Sequence, residues 1–244
     1  MTQRIIAMWS GPRNISTALM RSWASRSDTR VIDEPFYAHY LQETGYDHPG
    51  ARDIIAAYET DPQRVIDQLL TSDNGKAIYY QKHMTQHMLE HIDRTWLGEI
   101  SNCFLIRDPR RMLLSFAKVI PEPRLDQTGL PQQVELFNFV RQATGSTPPV
   151  IAAHDVQRNP EATLRRLCAA LDVAFDPAML RWPPGRHASD GIWAEHWYAS
   201  VERSTSFAPY QPDDTPAPEN MRALLDECQD LYAQIAPYRI GQAD

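Results

Sequence analysis

Short apolar runs alternate with longer segments along the first two thirds of the chain, and each pattern predicts a different element. The runs are apolar nearly throughout, which is typical of strands that helices bury on both faces. Five strands are predicted, at Arg4–Trp9, Thr29–Asp33, Ala77–Gln81, Asn102–Arg107 and Val150–His154.

In the longer segments, apolar residues recur every three or four positions, which is the spacing of an amphipathic helix. The predicted helices are Ser16–Ser25, Pro62–Leu70, Arg110–Val119, Gln132–Ala143, Glu161–Leu171 and Glu219–Ile235. Alternation of strand and helix produces a parallel sheet with right-handed crossovers. The pattern therefore predicts a three-layer α/β/α fold around a central, mostly parallel sheet, in which ligands bind at the carboxyl ends of the strands.

The periodicity loosens from about residue 172, where prolines and bulky tryptophans interrupt the sequence. We predict an irregular helical cap over about 181–244 that covers a core of about 1–180. Core and cap together form one predicted domain, 1–244.

Composition narrows the class of protein. The chain has 244 residues, 43% of them hydrophobic, which is enough for one large core. It contains no apolar run of about 18 residues, so no membrane span is predicted. The N-terminus does not resemble a signal peptide, and three scattered cysteines favour a reducing compartment, so we predict a cytoplasmic protein.

Charge and metal motifs exclude further classes. The formal net charge of −7 argues against nucleic acid as a partner, although a local cluster of donors can still bind a small anion. The sequence contains neither CxxC nor HExxH, so no metal site is predicted.

The segment after the first predicted strand has the strand–loop–helix order of a phosphate-binding loop. It reads SGPRNIST from Ser10 to Thr17, without the GK[ST] ending of a nucleotide-binding P-loop. Gly11 permits backbone geometry that other residues resist, and Ser16 or Thr17 is suited to cap the helix. Arg13 adds a permanent cation beside first-turn N–H groups that attract an anion.

A second candidate anion site follows the fourth predicted strand. Arg107 ends the strand, Asp108-Pro109 begins a helix, and Ser115 lies eight residues beyond Arg107. Ser115 is then about two turns into the helix, so both side chains can converge on one phosphate.

Together these motifs resemble those of sulfotransferases that use 3′-phosphoadenosine 5′-phosphosulfate (PAPS). The family's first loop reads about P-K-S-G-T-T, and this chain has PRNIST from Pro12. The second family motif, about R-[DN]-P-x(5)-S, matches Arg107 to Ser115 position by position. A third likeness, to a late strand, is carried by Asp155, Pro160 and three leucines. More narrowly, the chain resembles sulfotransferase-like proteins sometimes labelled aminotransferase-like, yet it has no motif for pyridoxal-phosphate chemistry.

The resemblance implies a P-loop fold and transfer of a sulfuryl group from PAPS to a small-molecule acceptor by in-line displacement, without a metal. It also implies that the first loop binds the 5′-phosphosulfate and that the second motif binds the 3′-phosphate. The implied donor-binding residues are Gly11, Pro12, Arg13, Asn14, Ser16, Thr17, Arg107 and Ser115. Arg13 is also implied in catalysis, because it lies beside the leaving phosphate. The sequence leaves the acceptor and the oligomeric state open.

Two stretches compete for the catalytic base that the resemblance implies. Glu34, in Asp33-Glu34-Pro35 after the second predicted strand, resembles a glutamate that some family members use. His83, next to Lys82 after the third, resembles the histidine of a K-x-H motif with its register off by one. A histidine near its usual pKa is the easier base, whereas a glutamate needs a raised pKa. The local sequence favours Glu34.

The chain departs from the family pattern in two places. Arg13 replaces the lysine, and the family's glycine-rich basic loop near the C-terminus has only a poor counterpart in Pro183–His187. Two alternatives therefore stay open: a P-loop kinase-like phosphotransferase, and a nucleotide-binding protein of the same fold without catalysis.

Overall fold

Five parallel strands form a single sheet at the centre of the molecule. The computed structural model describes residues 3–71 and 75–241, so the ends of the predicted domain, 1–2 and 242–244, lie outside it. The strands are β1 (Arg4–Ser10), β2 (Thr29–Asp33), β3 (Ile78–Met84), β4 (Ser101–Ile106) and β5 (Val150–Ala152). They lie in the order β2-β3-β1-β4-β5, and every neighbouring pair is parallel.

Helices cover both faces of this sheet, which confirms the predicted three-layer architecture. They are α1 (Ser16–Ala24), α2 (Tyr37–Thr44), α3 (Ala51–Ala57), α4 (Pro62–Thr71), α5 (Pro109–Phe116), α6 (Leu130–Thr144), α7 (Ala153–Arg158), α8 (Pro160–Ala170), α9 (Ala194–Trp197), α10 (Ala199–Glu202) and α11 (Arg222–Ile235). Short 3₁₀ segments lie between some of them. The sequence pattern missed α2 and α3, which follow the second strand.

Four of the five strands differ from the prediction at one or both ends. β1 continues one residue further, to Ser10, and β4 is Ser101–Ile106, so Arg107 lies directly after the strand rather than at its end. β3 continues to Met84 rather than ending at Gln81, and all seven of its residues are buried. β5 ends at Ala152 rather than at residue 154, because its partner β4 pairs with it over only three residues and α7 begins at once. These differences set which residues lie at the carboxyl edge of the sheet.

The alternation of side chains along each strand builds two cores. On one face, Ile6 and Met8 of β1 pack with residues of α1 and α8. On the other face, Ala7 and Trp9 pack with residues of α4, α6 and α11. Helices on both faces leave only the edges of the sheet open to ligands.

The C-terminal third is irregular and contains the two short helices α9 and α10, as the sequence pattern predicts. Trp193 and Tyr198 pack against α2 and α3. The segment is also attached to the core by a buried ion pair. The two terminal guanidinium nitrogens of Arg21, on α1, lie 2.5 and 2.6 Å from the Asp190 carboxylate oxygens. None of the helices that the structure describes is long and apolar enough to cross a bilayer.

The Arg21–Asp190 pair predicts a large stability effect. Replacing Arg21 with Met leaves an unpaired buried carboxylate, so we expect the free energy of unfolding to fall by about 3–5 kcal/mol. Urea denaturation followed by circular dichroism measures this change. The matched control is Asp172→Asn, which removes an exposed carboxylate paired with Arg4 and should have little effect. Equal losses of unfolding free energy in both variants would contradict the conclusion that the buried Arg21–Asp190 pair stabilises the fold more than the exposed pair does.

Candidate active site

A cavity of about 320 Å³ lies at the carboxyl edge of the sheet, where β1 has β3 on one side and β4 on the other. This is the point at which the strand order reverses, the usual ligand site of open parallel sheets. Its lining comes from the loop after β1, the ends of β2 and β3, the segment after β4, and the C-terminal third.

Close packing, backbone conformation and one hydrogen bond fix the loop after β1 beside the cavity. Gly11 does not have a positive φ, contrary to the predicted reason for a glycine. Instead, a Cβ atom there would lie 2.7 Å from the carbonyl oxygen of Thr128. Arg13 is the residue with a left-handed backbone, at φ 53°. Asn14 fixes the loop to β4, because its side-chain amide donates to the Leu105 carbonyl at 3.1 Å.

Helix α1 begins at the cavity, and its first residues line it. The prediction that Ser16 or Thr17 caps this helix is wrong, because Ile15 occupies the N-cap position and no side chain caps it. First-turn N–H groups have no acceptor within a helix, so they are available to an anion. The Ser16 and Thr17 side chains line the cavity instead, together with Pro12 and Asn14.

The two predicted anion-binding segments meet in this cavity. Arg13 Nε donates to Ser115 Oγ at 3.2 Å, and the Arg107 guanidinium donates to the Arg13 carbonyl. Arg13, Arg107 and Ser115 all line the cavity. Ser115 lies in α5, where the Asp108 side chain caps the first turn by accepting from the Arg111 N–H.

Neither arginine forms an ion pair with any residue that the structure describes. Among residues 3–71 and 75–241, no carboxylate lies within salt-bridge distance of the Arg13 or Arg107 guanidinium. Burial lowers the pKa of Arg13, and burial together with Arg111 and Arg13 lowers the pKa of Arg107. Two partly buried cations, one of which lowers the pKa of the other, are suited to bind an anion.

Across the cavity, Glu34 follows β2. Its backbone is also left-handed, at φ 41°, and its N–H donates to the Lys82 carbonyl at 2.9 Å. The Glu34 side chain is 11% exposed and lines the cavity, so one oxygen can face a ligand while the other is held by the protein.

Lys82, at the end of β3, holds that carboxylate in place. Its ammonium group lies 2.5 Å from Glu34 Oε1, 2.8 Å from Asp33 Oδ1 and 2.7 Å from the Tyr198 hydroxyl. The Lys82 side chain is only 1% exposed. An ammonium group has three N–H bonds, so these three contacts use all of them.

Tyr198 completes the network from the C-terminal third. Its hydroxyl donates to the Asp33 carboxylate, with oxygen distances of 2.8 and 2.7 Å, and accepts from Trp193 Nε1 at 3.2 Å. The cap and the carboxyl edge of the sheet therefore meet at one buried hydroxyl group.

Burial and charge together set the protonation of the network. Burial raises the pKa of Glu34, Lys82 opposes this, and the neighbouring Asp33 carboxylate adds to it, so the net pKa is raised. Burial acts to lower the pKa of Lys82, but the two carboxylates outweigh it and hold that pKa above its usual value. Lys82 is thus charged, and Glu34 is a carboxylate of raised proton affinity.

The structure does not bring His83 into the cavity. Its ring stacks on Trp9 with centroids 4.3 Å apart, and its Nε2 lies 3.1 Å from Gln81 Oε1. Burial lowers the pKa of His83 to about 3. Successive residues of a strand point to opposite faces, so Lys82 and His83 cannot both face the cavity.

The remaining wall beside Glu34 is aromatic and uncharged. Tyr37 stacks on His87 with centroids 4.8 Å apart, and Tyr40, His48 and Trp197 also line the cavity. Burial lowers the pKa of both His48 and His87.

The C-terminal third contributes differently from the expected basic loop. Residues 183–187 do not line the cavity, and Arg186 lies instead 3.5 Å from Glu202. A segment from Ser200 to Ala208 contributes small and aromatic side chains to the wall. No group of three or more histidine, cysteine, aspartate or glutamate residues in the described ranges is arranged to hold a metal ion.

Sequence reasoning missed the roles of Lys82, Asp33 and Tyr198. The alternation of strand side chains, applied to Lys82 and His83, would have shown that only one of the two can face the cavity. Tyr198 has no such signal, because it lies 165 positions from Asp33 in the chain and its local pattern is irregular.

Sequence comparison identifies a family. The sequence pattern described as "Sulfotransferase domain" matches residues 3–237. Among curated proteins, the chain is 36% identical over 228 residues to "Branched-chain-amino-acid aminotransferase-like protein 1" of Arabidopsis thaliana. That match covers 93% of this chain and 41% of the relative, so the chain spans less than half the length of that protein.

Comparison of structures finds the same fold. The "Sulfotransferase Domain from the Curacin Biosynthetic Pathway" superposes with a TM-score of 0.55 at 15% identity, covering 96% of this chain and 98% of that one. A sulfotransferase from Alicyclobacillus acidocaldarius gives a TM-score of 0.53 at 12% identity, with 97% and 96% covered. At these identities the likeness shows the fold, including its P-loop-like parallel sheet.

Proposed function

Because the chain belongs to the sulfotransferase domain family, we propose that it transfers a sulfuryl group from PAPS to a small-molecule acceptor. One observation carries this proposal: Arg13 and Arg107, which have no carboxylate partner among the described residues, lie with Ser115 in the cavity that Glu34 also lines. The two arginines suit an anion with two phosphate groups, and Glu34 suits the removal of a proton from an acceptor.

In this proposal, the two motifs bind the two phosphorylated ends of the donor. The first turn of α1 and Arg13 hold the 5′-phosphosulfate, since N–H groups and a guanidinium stabilise its negative charge. Arg107 and Ser115 hold the 3′-phosphate. The support is the match of these segments to the PAPS-binding motifs and their contact across the cavity. None of these residues supplies a ligand set for a metal, and the proposal needs none.

The transfer step follows from this arrangement. Glu34 accepts the proton of the acceptor's hydroxyl or amine group as that atom forms a bond to sulfur. The bond from sulfur to the bridging phosphate oxygen breaks on the opposite side, and adenosine 3′,5′-bisphosphate (PAP) leaves with the electron pair. Arg13 and the first-turn N–H groups stabilise the charge that develops on the leaving phosphate.

Lys82, Asp33 and Tyr198 act on this step through Glu34. Lys82 fixes one Glu34 oxygen and lowers a pKa that burial raises, which keeps the carboxylate available as a base. Asp33 and Tyr198 in turn fix the ammonium group. We therefore propose Glu34 as the base and not His83, whose ring is buried on the other face.

The proposal also includes the cellular compartment and the domain organisation of the protein. Cys103, Cys168 and Cys228 are all buried as free thiols, which supports the cytoplasm as its compartment. The core and the C-terminal third share the cavity, which supports a single domain over the described residues.

Donor binding is tested by thermal unfolding without magnesium. We expect PAP to raise the melting temperature by several degrees, since a ligand at 100 times its dissociation constant stabilises a protein by about 2.7 kcal/mol. Arg107→Ala removes a charged contact and should weaken PAP binding about tenfold or more. The control Arg165→Ala removes an exposed arginine paired with Glu161 and should leave binding unchanged.

Other outcomes of the same experiment select the alternatives. Stabilisation by magnesium-ATP but not by PAP would indicate a phosphotransferase. Binding of PAP without sulfation of any compound in a mass-spectrometric acceptor screen would indicate a binding protein without catalysis.

The choice of base is tested by paired variants. Once the screen identifies an acceptor, Glu34→Gln should lower kcat by about 10²–10⁴-fold, because the amide cannot accept the proton. His83→Gln should retain kcat within a few-fold after correction for the folded fraction. The reverse result would assign the base to His83.

The network predicts a shift in pH dependence. Activity requires ionised Glu34, so kcat should rise with pH as this group loses its proton. Tyr198→Phe removes a hydrogen bond that lowers the Glu34 pKa, so the rising limb should move to higher pH. A pH profile of kcat measures the shift. An unchanged midpoint with a uniform loss of rate would contradict this positioning role.

A further inference from the structure

The cavity is electrostatically divided, and the sheet order explains why. Arg13 follows β1 and Arg107 follows β4, whereas Glu34 follows β2 and Lys82 belongs to β3, on the other side of β1. Neighbouring strands lie about 4.8 Å apart, so the two groups occupy separate ends of the edge. We call these the donor half and the acceptor half.

Carboxylates outnumber cations in the acceptor half. Asp33 and Glu34 contribute two negative charges when ionised, and Lys82 contributes one positive charge. All three Lys82 N–H bonds are already used within the network. The only cation of this half that the structure describes on the cavity wall therefore has no donor left for an incoming anion.

No other described residue on this wall supplies a compensating charge. The nearby lining consists of Tyr37, Tyr40, His48, His87 and Trp197, and the two histidines are held neutral by burial. Arg124 and Asp126 lie behind, against Tyr46, and pair with each other at 2.8 Å. Aromatic faces favour flat apolar groups and also attract cations.

Building on the proposed function, we propose that the acceptor is an uncharged or cationic hydroxyl compound with a flat apolar body, and that anionic acceptors are excluded. An acceptor carboxylate, sulfate or phosphate would lie in a poorly solvated half beside an uncompensated carboxylate. A like-charge contact of this kind at a few ångströms weakens binding by about tenfold or more.

The test compares three ligands with one skeleton: tyramine (cationic), 4-methylphenol (neutral) and 4-hydroxyphenylacetate (anionic). Titration calorimetry on the PAP-saturated protein at about pH 8 measures their affinities. We expect tyramine and 4-methylphenol to bind at least about tenfold more tightly than 4-hydroxyphenylacetate. Binding of the anion as tightly as the neutral phenol, or no binding of any of the three, would overturn the proposal.

A variant assigns the effect to the acceptor half, because bound PAP also repels anions. Glu34→Gln removes the surplus negative charge, so the preference for tyramine over the anion should fall several-fold while 4-methylphenol affinity stays similar. Asp172→Asn, which removes an exposed carboxylate paired with Arg4, is the matched control and should keep the preference. An unchanged preference in Glu34→Gln would overturn the proposal.

The same experiment separates this inference from the donor assignment. PAP affinity is measured first and also verifies that each variant is folded. Failure of PAP to bind contradicts the proposed donor, whereas PAP binding with a reversed charge preference contradicts only the acceptor class.

Discussion

A buried ammonium group must have its charge compensated, and the carboxyl edge of this sheet is arranged around that requirement. Lys82 lies in β3, two residues before its end, with a side chain that is 1% exposed. An ionised lysine at such a site is stable only with carboxylates and hydrogen-bond acceptors around it. Asp33, Glu34 and Tyr198 meet that need from two distant parts of the chain. One electrostatic constraint thus joins β2, β3 and the C-terminal third.

The left-handed residues show a similar coupling at the backbone level. Arg13 and Glu34 both have positive φ, a conformation that costs a residue with a side chain about 1–3 kcal/mol. Each is held by a contact from a neighbouring part of the sheet. The Arg107 guanidinium, directly after β4, donates to the Arg13 carbonyl, and the Lys82 carbonyl, in β3, accepts from the Glu34 N–H. Arg107 therefore shapes the first loop as well as lining the cavity.

The fold could be predicted from the sequence more completely than the candidate site, and the reasons are physical. Buried strands of a parallel sheet are short apolar runs, so all five were found, and only their ends were misplaced. Arg107 lies just before α5 and Ser115 lies within it, so local spacing was sufficient to predict that both side chains reach one cavity. The Lys82–His83 choice needed strand alternation, and Tyr198 depends on tertiary packing that no local pattern contains.

The divided cavity also bears on what happens after sulfuryl transfer. In the proposed reaction, transfer moves a negative charge from the arginine-lined half to the half that holds Asp33 and Glu34. Once Glu34, as the proposed base, returns its proton to water, the new sulfate ester lies beside a carboxylate, and no cation that the structure describes on this wall is free to bind it. The proposed reaction thereby converts an acceptor that fits the acceptor half into an anionic product that this half repels. Electrostatics therefore favours departure of the product and opposes its return.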